Sequence, residues 1–376
     1  NGTLLYTDPG LGGDVTLRGI EIGGGLGQGT LALTIRGGEW ARSTPVSLGQ
    51  ARAELEISPS LDLRVRSFTA TAMGSQFEAR GSLGGPPGWA PDLALSARLA
   101  LGDLAAFGAP HMGGAVTASG RLWGRPEAIS LEADAEGSSL DLGGWPVEQA
   151  RAKLTYQTAG TASAAWTLDL LSGRAEGDAH LRGSAVQGRL RITDLDVAGA
   201  ARAAQMELAP SWGGRASGKL DWSGDLTGSV QVRGDAQSSL RVGGHQIETS
   251  LALSGPVRVT PQTLALGWTA SVAAARVGEP SARVHVSAAR LQAHGTASGR
   301  LPPVIDGDFE GEAALLTPQG PAPITVAGRL RNEGRDFAAS LETRGLGGFL
   351  WVKADSSGGV FRTLSAGAAS LGLAPL

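Results

Sequence analysis

One period runs through nearly the whole chain: apolar residues occupy one parity, charged or small polar residues the other. Ala51, Ala53, Leu55 and Ile57 alternate with Arg52, Glu54 and Glu56, and Leu61, Leu63 and Val65 with Asp62, Arg64 and Arg66. Leu93, Leu95, Ala97, Leu99 and Leu101 make one later run, and Ile129, Leu131, Ala133 and Ala135 another. A β-strand sends successive side chains to opposite faces, so short alternating runs bounded by Gly pairs, Pro or Ser predict half-buried strands. Helical periodicity is confined to an Ala-rich stretch at 200–208 and a single turn at 103–107. The fold class expected is all-β.

The alternation is also copied along the chain. TASGRL stands at 117–122 and again at 296–301, with RASGKL between them at 215–220. SSLDLGGWPVE at 138–148 is echoed 100 residues later by SSLRVGGHQIE at 238–248, and QARAEL at 50–55 by QARAKL at 149–154. Strands that pair mainly with their sequence neighbours build a sheet that grows in one direction. At about 12–13 residues per strand and turn the chain holds on the order of 30 strands, ~140 Å of sheet at ~4.8 Å per strand. Right-handed twist accumulates over such a length. One apolar face must then be covered by curling or by an outside hydrophobe. The expectation is an elongated, repetitive, twisted sheet curled into a U-shaped, taco-like hydrophobic groove, a single segment over 1–376 with no clear internal boundary. The start at Asn1 rather than Met suggests a piece of a longer protein.

Composition narrows what such a groove does. Gly (58) and Pro (19) supply turns without reaching the share that marks low complexity. Apolar residues are 41% but aromatics only 5%, so Ala, Leu and Val carry the apolar content and the core is thin. A net charge of −3 provides no basic footprint for nucleic acid. The absence of Cys excludes disulfide scaffolds, thiolate zinc sites and cysteine nucleophiles. No run is apolar enough for a spanning helix. The segment 213–219 fits GxxxxGK, but Leu220 stands where the Ser or Thr of a phosphate loop belongs, and the following residues alternate like a strand. GxSxG and HExxH are absent. The five histidines are scattered, and the acidic ladder Asp306, Asp308, Glu310 and Glu312 reads as a solvated outer face. Neither an enzyme nor a metal or cofactor site is expected.

What remains is the apolar parity itself. Leu, Val and Ala with few rings form a low-relief wall, and two sheet faces close on each other only within about 10 Å. With wider separation the space suits acyl chains, each buried methylene gaining about 0.8 kcal/mol. The expected groove-lining residues are Leu93, Leu95, Ile129, Leu131, Leu140, Leu142, Leu154, Leu168, Leu170, Leu220, Trp222, Val230, Val232, Leu251 and Leu253. Arg64, Arg66, Glu132, Arg329 and Arg331 belong to the outward parity.

The stretch 113–156, GGAVTASGRLWGRPEAISLEADAEGSSLDLGGWPVEQARAKLTY, and its echo at 215–254 resemble the repeating core of the TamB family of AsmA-like proteins. That resemblance implies a periplasmic β-groove of the cell envelope, an inner-membrane anchor outside this segment, phospholipid transport between the two membranes, and an outer-membrane barrel of the Omp85 type as partner. It carries over no catalytic motif. Two rival readings of the same pattern are a structural or adhesive β-solenoid with a solid interior, and a scaffold that lends a strand edge during outer-membrane protein assembly.

Overall fold

The computed structural model describes residues 2–8, 13–25, 29–41, 45–85, 88–107, 111–125, 127–158, 160–203, 212–242, 245–258, 263–274, 285–300, 304–317, 320–333, 336–345, 348–357 and 360–369. The protein is all-β and antiparallel. Contacts divide it into two units, Asn1–Leu171 with Glu176–Gly183, and Ser172–Ala175 with Ser184–Leu376. The division passes through a strand (Gly173–Arg182), not through a linker.

In the first unit β1 (Gly2–Asp8) pairs with β2 (Gly13–Gly25), which continues against β3 (Thr30–Ile35) and β4 (Gly37–Ala41). β5 (Val46–Ile57) spans both of these, and β6 (Leu63–Ala72), β7 (Ser75–Gly84) and β8 (Asp92–Ala100) follow as a meander. The chain then makes a 3-10 turn, Leu101–Phe107, and the two-residue β9 (Met112–Gly113). β10 (Ala115–Arg125) returns to β8. β11 (Ala128–Leu142) pairs with β10 and, at its far end, with β9; β12 (Pro146–Gln157) and β13 (Thr161–Leu170) extend the ladder. β14 (Gly173–Arg182) is the strand shared by the two units.

In the second unit β15 (Ala185–Asp196) leads into a short helix, α1 (Val197–Ala203), and then β16 (Trp212–Asp225). From there the chain meanders through β17 (Ser229–Val242), β18 (His245–Arg258), β19 (Thr263–Ala274), β20 (His285–Arg300) and β21 (Val304–Thr317). β22 (Gly320–Glu333), β23 (Asp336–Gly345), β24 (Gly348–Ser357) and β25 (Val360–Ala369) complete it.

Both expected helical pieces form, with shifted bounds. α1 begins before the Ala-rich run because the Asp196 carboxylate accepts the Ala198 and Gly199 amides at 3.3 and 2.9 Å, satisfying donors that a helix start leaves open. Residues 204–208 of that expectation lie outside the described residues. The 3-10 turn starts at Leu101 and is tied down by Asp103, which accepts the Gly74 amide at 3.0 Å and the Ser75 hydroxyl at 2.7 Å.

Candidate functional site

Register converts the period-two pattern into rows that cross the strands. In the first unit Ile22, Leu33, Ala53, Phe68, Ala79, Leu95, Gly120, Ala133, Leu154 and Ala164 stand opposite one another in sequence. A parallel row on the same face runs Leu31, Leu55, Val65, Gly81, Leu93, Leu122, Leu131, Tyr156 and Ala162. In the second unit Leu190, Leu220, Gly234, Leu253, Trp268, Gly295, Gly307, Leu330, Ala339, Ala354 and Leu364 form one row across all eleven strands from β15 to β25. Its neighbour runs Ile192, Gly218, Ala236, Leu251, Ala270, Ala293, Phe309, Gly328, Leu341, Val352 and Ala366. None of these four rows contains a charge.

Small residues in the rows have a packing reason. A Cβ at Gly120 would run into the Glu132 carbonyl, and one at Gly218 into that of Asp235. The ASG motif therefore marks close strand approach at 118–120 and 216–218, while a Cβ at Gly299 in the third copy would meet nothing. Elsewhere rings lie over glycine: Trp268 covers Gly295 and Gly307, and Phe309 covers Gly328. Such covering restores the apolar contact that a glycine forfeits in a strand.

The fifteen expected lining residues all fall on the apolar face of their unit, in three settings. Leu93, Leu95, Ile129, Leu131 and Leu154 lie on its open part, where Leu154 is 43% and neighbouring Tyr156 47% exposed. At the strand ends Leu140 is buried, and Leu142, Leu168 and Leu170, half-buried, pack against it. There Leu101 and Leu104 of the 3-10 turn pack on Leu140 and Val147, which are 4% and 2% exposed. These four line a closed core, not an open surface. β11 carries one extra residue, Ser139 with φ +55°, against β10 and β9, between Gly137 opposite Val116 and Asp141 opposite Gly113; β12 carries its own, Glu148, against β13, so Leu140 and Leu142 come to the face of Ile129 and Leu131 while the β11–β12 register stays unbroken. The remaining six, Leu220, Trp222, Val230, Val232, Leu251 and Leu253, share the face of the second unit. There Leu190, Ile192, Leu220, Leu251 and Leu253 surround a hollow of about 210 Å³ floored by Gly218, Gly234 and Ala236.

The opposite face is polar and knit by ion pairs. Arg121 reaches Asp92 with two parallel bonds of 2.7 and 2.8 Å, Lys153 pairs with Glu132 at 2.6 Å, Arg66 with Glu56, and Lys219 with Asp235 at 3.2 Å. Hydrogen bonds from Arg121, Arg66 and Arg329 hold the Asp92, Glu56 and Asp306 carboxyls below their ordinary range. The expected outward residues are on this side, and the acidic ladder of β21 is answered by Arg329, paired with Asp306 at 2.9 Å, and by Arg331 opposite Asp306. Among the described residues no group of His, Asp and Glu is placed to hold a metal. The segment fitting the phosphate-loop pattern is part of strand β16.

Sequence reasoning did not foresee that the larger hollows lie on the polar side. One of about 830 Å³ in the first unit is lined by Glu78, Arg98, Asp134, Glu136, Arg151 and Lys153. Another of about 730 Å³ in the second unit is lined by Asp235, Gln237, His294 and Glu310 among others. Alternation does not encode them. Comparison with family models, with curated proteins and with solved structures returned no match.

Proposed function

We propose that the protein holds lipid acyl chains against its apolar face and conducts phospholipids across the cell envelope as a periplasmic, TamB-like carrier. In this reading an inner-membrane anchor lies outside the segment and an Omp85-type barrel is the partner at the outer membrane. The observation that supports it is the set of uncharged rows that cross strand after strand while large side chains on them stay open to solvent, Ile22 at 68%, Leu154 at 43% and Leu251 at 40%. Patches of this kind on a soluble surface mark a binding face. Each methylene laid on such a row gains about 0.8 kcal/mol. The gain is nearly the same from one strand to the next, which favours sliding along the rows over capture at one point. A solid β-solenoid would bury these side chains. No step of bond making or breaking enters this reading.

Adjacent residues on opposite faces test it. Leu131→Arg places a charge in the middle of an apolar row, while Glu132→Arg changes the polar face one residue along. Phospholipid recovered with the gently purified protein and counted by mass spectrometry is expected to fall at least about tenfold in the first variant, because a charge on an apolar face must be desolvated to bind lipid. The second variant should retain it. Equal losses in both variants, or no lipid with the unaltered protein, would sink the proposal.

A further inference from the structure

The hollow on the face of β15–β18 has a polar neighbour. On the same face, one row beyond Ala236 and Leu251, Ser238 stands directly opposite Thr249 and their hydroxyls share a hydrogen bond. At about 3.4 Å per residue this pair lies roughly 7 Å along the strands from the floor of the hollow. Two hydroxyls joined by one hydrogen bond use one O–H and leave the other free to donate. Neither side chain has another hydrogen-bond partner among the described residues.

We infer that this place seats one chain of a fatty acyl ester, its tail in the hollow and its ester carbonyl on the Ser238 and Thr249 hydroxyls. The inference rests on the lipid reading above and adds where, and in which orientation, a single chain is held. The volume of about 210 Å³ takes about seven methylene-sized groups at the ~30 Å³ of a water in liquid. The rest of the tail then follows the apolar row. Gly218, Gly234 and Ala236 make the depression by presenting no side chain beyond Cβ, and Leu251, 40% exposed, stands at its rim. A plain hydrocarbon fits the hollow but has no acceptor for the free O–H. An ester has one.

The test uses two photoreactive probes of equal length carrying a mid-chain diazirine, methyl palmitate and hexadecane, with labelled peptides mapped by mass spectrometry. Methyl palmitate is expected to label β15–β18 roughly 2- to 10-fold more than hexadecane, the worth of one net hydrogen bond. Ser238→Ala with Thr249→Val should erase that preference while hexadecane still labels the hollow. Ala236→Leu should fill the hollow and remove labelling by both probes there, with labelling around Leu131 unchanged. An unchanged far-ultraviolet circular dichroism spectrum shows that each variant keeps its sheet, and Ser238→Ala alone serves where the double variant does not. Even labelling along all apolar rows, or an ester preference that survives the double substitution, overturns the seat and leaves the apolar-face reading standing. Absence of label from every apolar row overturns both.

Discussion

Two copies of one sequence block, TASGRL with SSLDLGGWPVE in the first unit and RASGKL with SSLRVGGHQIE in the second, fold into ladders that differ at one end. In the first copy Ser139 bulges out and Leu140 and Leu142 turn onto the apolar face, where Leu101 and Leu104 close over them. In the second copy Ser238, Ser239 and Leu240 run straight, opposite Thr249, Glu248 and Ile247. A helical piece precedes the block in both, but α1 buries only Gly199 and Ala201 where the 3-10 turn brings two leucines. Side-chain volume is the difference: leucines in the turn make a buried core, and small residues leave the face open. The paired charges differ too. Arg121 grips Asp92 with a two-pronged contact, while Lys219 meets Asp235 at a single point.

The largest expected effect comes from shifting the strand beyond the bulge. Inserting one alanine between Ser139 and Leu140 flips Leu140 and Leu142 to the polar face, since a one-residue slip reverses a strand's faces. It should cost at least about 4 kcal/mol in urea unfolding and abolish hydrogen-exchange protection at Leu140 and Val147. Retained protection there would show that the strand absorbs the extra residue and that parity past Ser139 does not set the closed end. Next is Leu101→Ala, expected to cost about 2–4 kcal/mol by opening a cavity in the closed end. Leu240→Ala in the second copy, which has no such closure, should cost about 1 kcal/mol. Comparable losses from the two would erase the distinction between the copies. The smallest effect concerns acid. The Asp92 carboxyl is held below its ordinary range of about 4 by Arg121, so the pair contributes in full above that range and its contribution fades as pH falls through the depressed value. Asp92→Asn should flatten the acid limb of the urea midpoint against pH slightly, and Arg121→Lys by less, because Lys keeps the charge and loses the fork.

The change of parity within β11, from Ile129 and Leu131 to Leu140 and Leu142, is written in the residues, and the bulge at Ser139 is its cause. A helical piece was legible from its Ala content at 200–208, but its start at Val197 was not, because the capping carboxylate of Asp196 shows itself only once the turn has formed. Closure of Leu140, Leu142, Leu168 and Leu170 under the 3-10 turn was not legible, because nothing local tells a strand residue which distant leucine will lie across it. The Ser238 and Thr249 pair was missed for a similar reason: each hydroxyl reads as an ordinary polar residue until register sets them face to face.

Alternation and glycine punctuation by themselves determined that this chain is a repetitive antiparallel sheet with one apolar and one polar face, since side-chain direction in a strand depends only on parity. Tertiary structure decided which stretches of the apolar face are closed and which open, and put two hollows on the polar side that are larger than the one on the apolar face. Those outcomes depend on bulges and on the volume of side chains brought in from elsewhere in the chain, neither of which has a period.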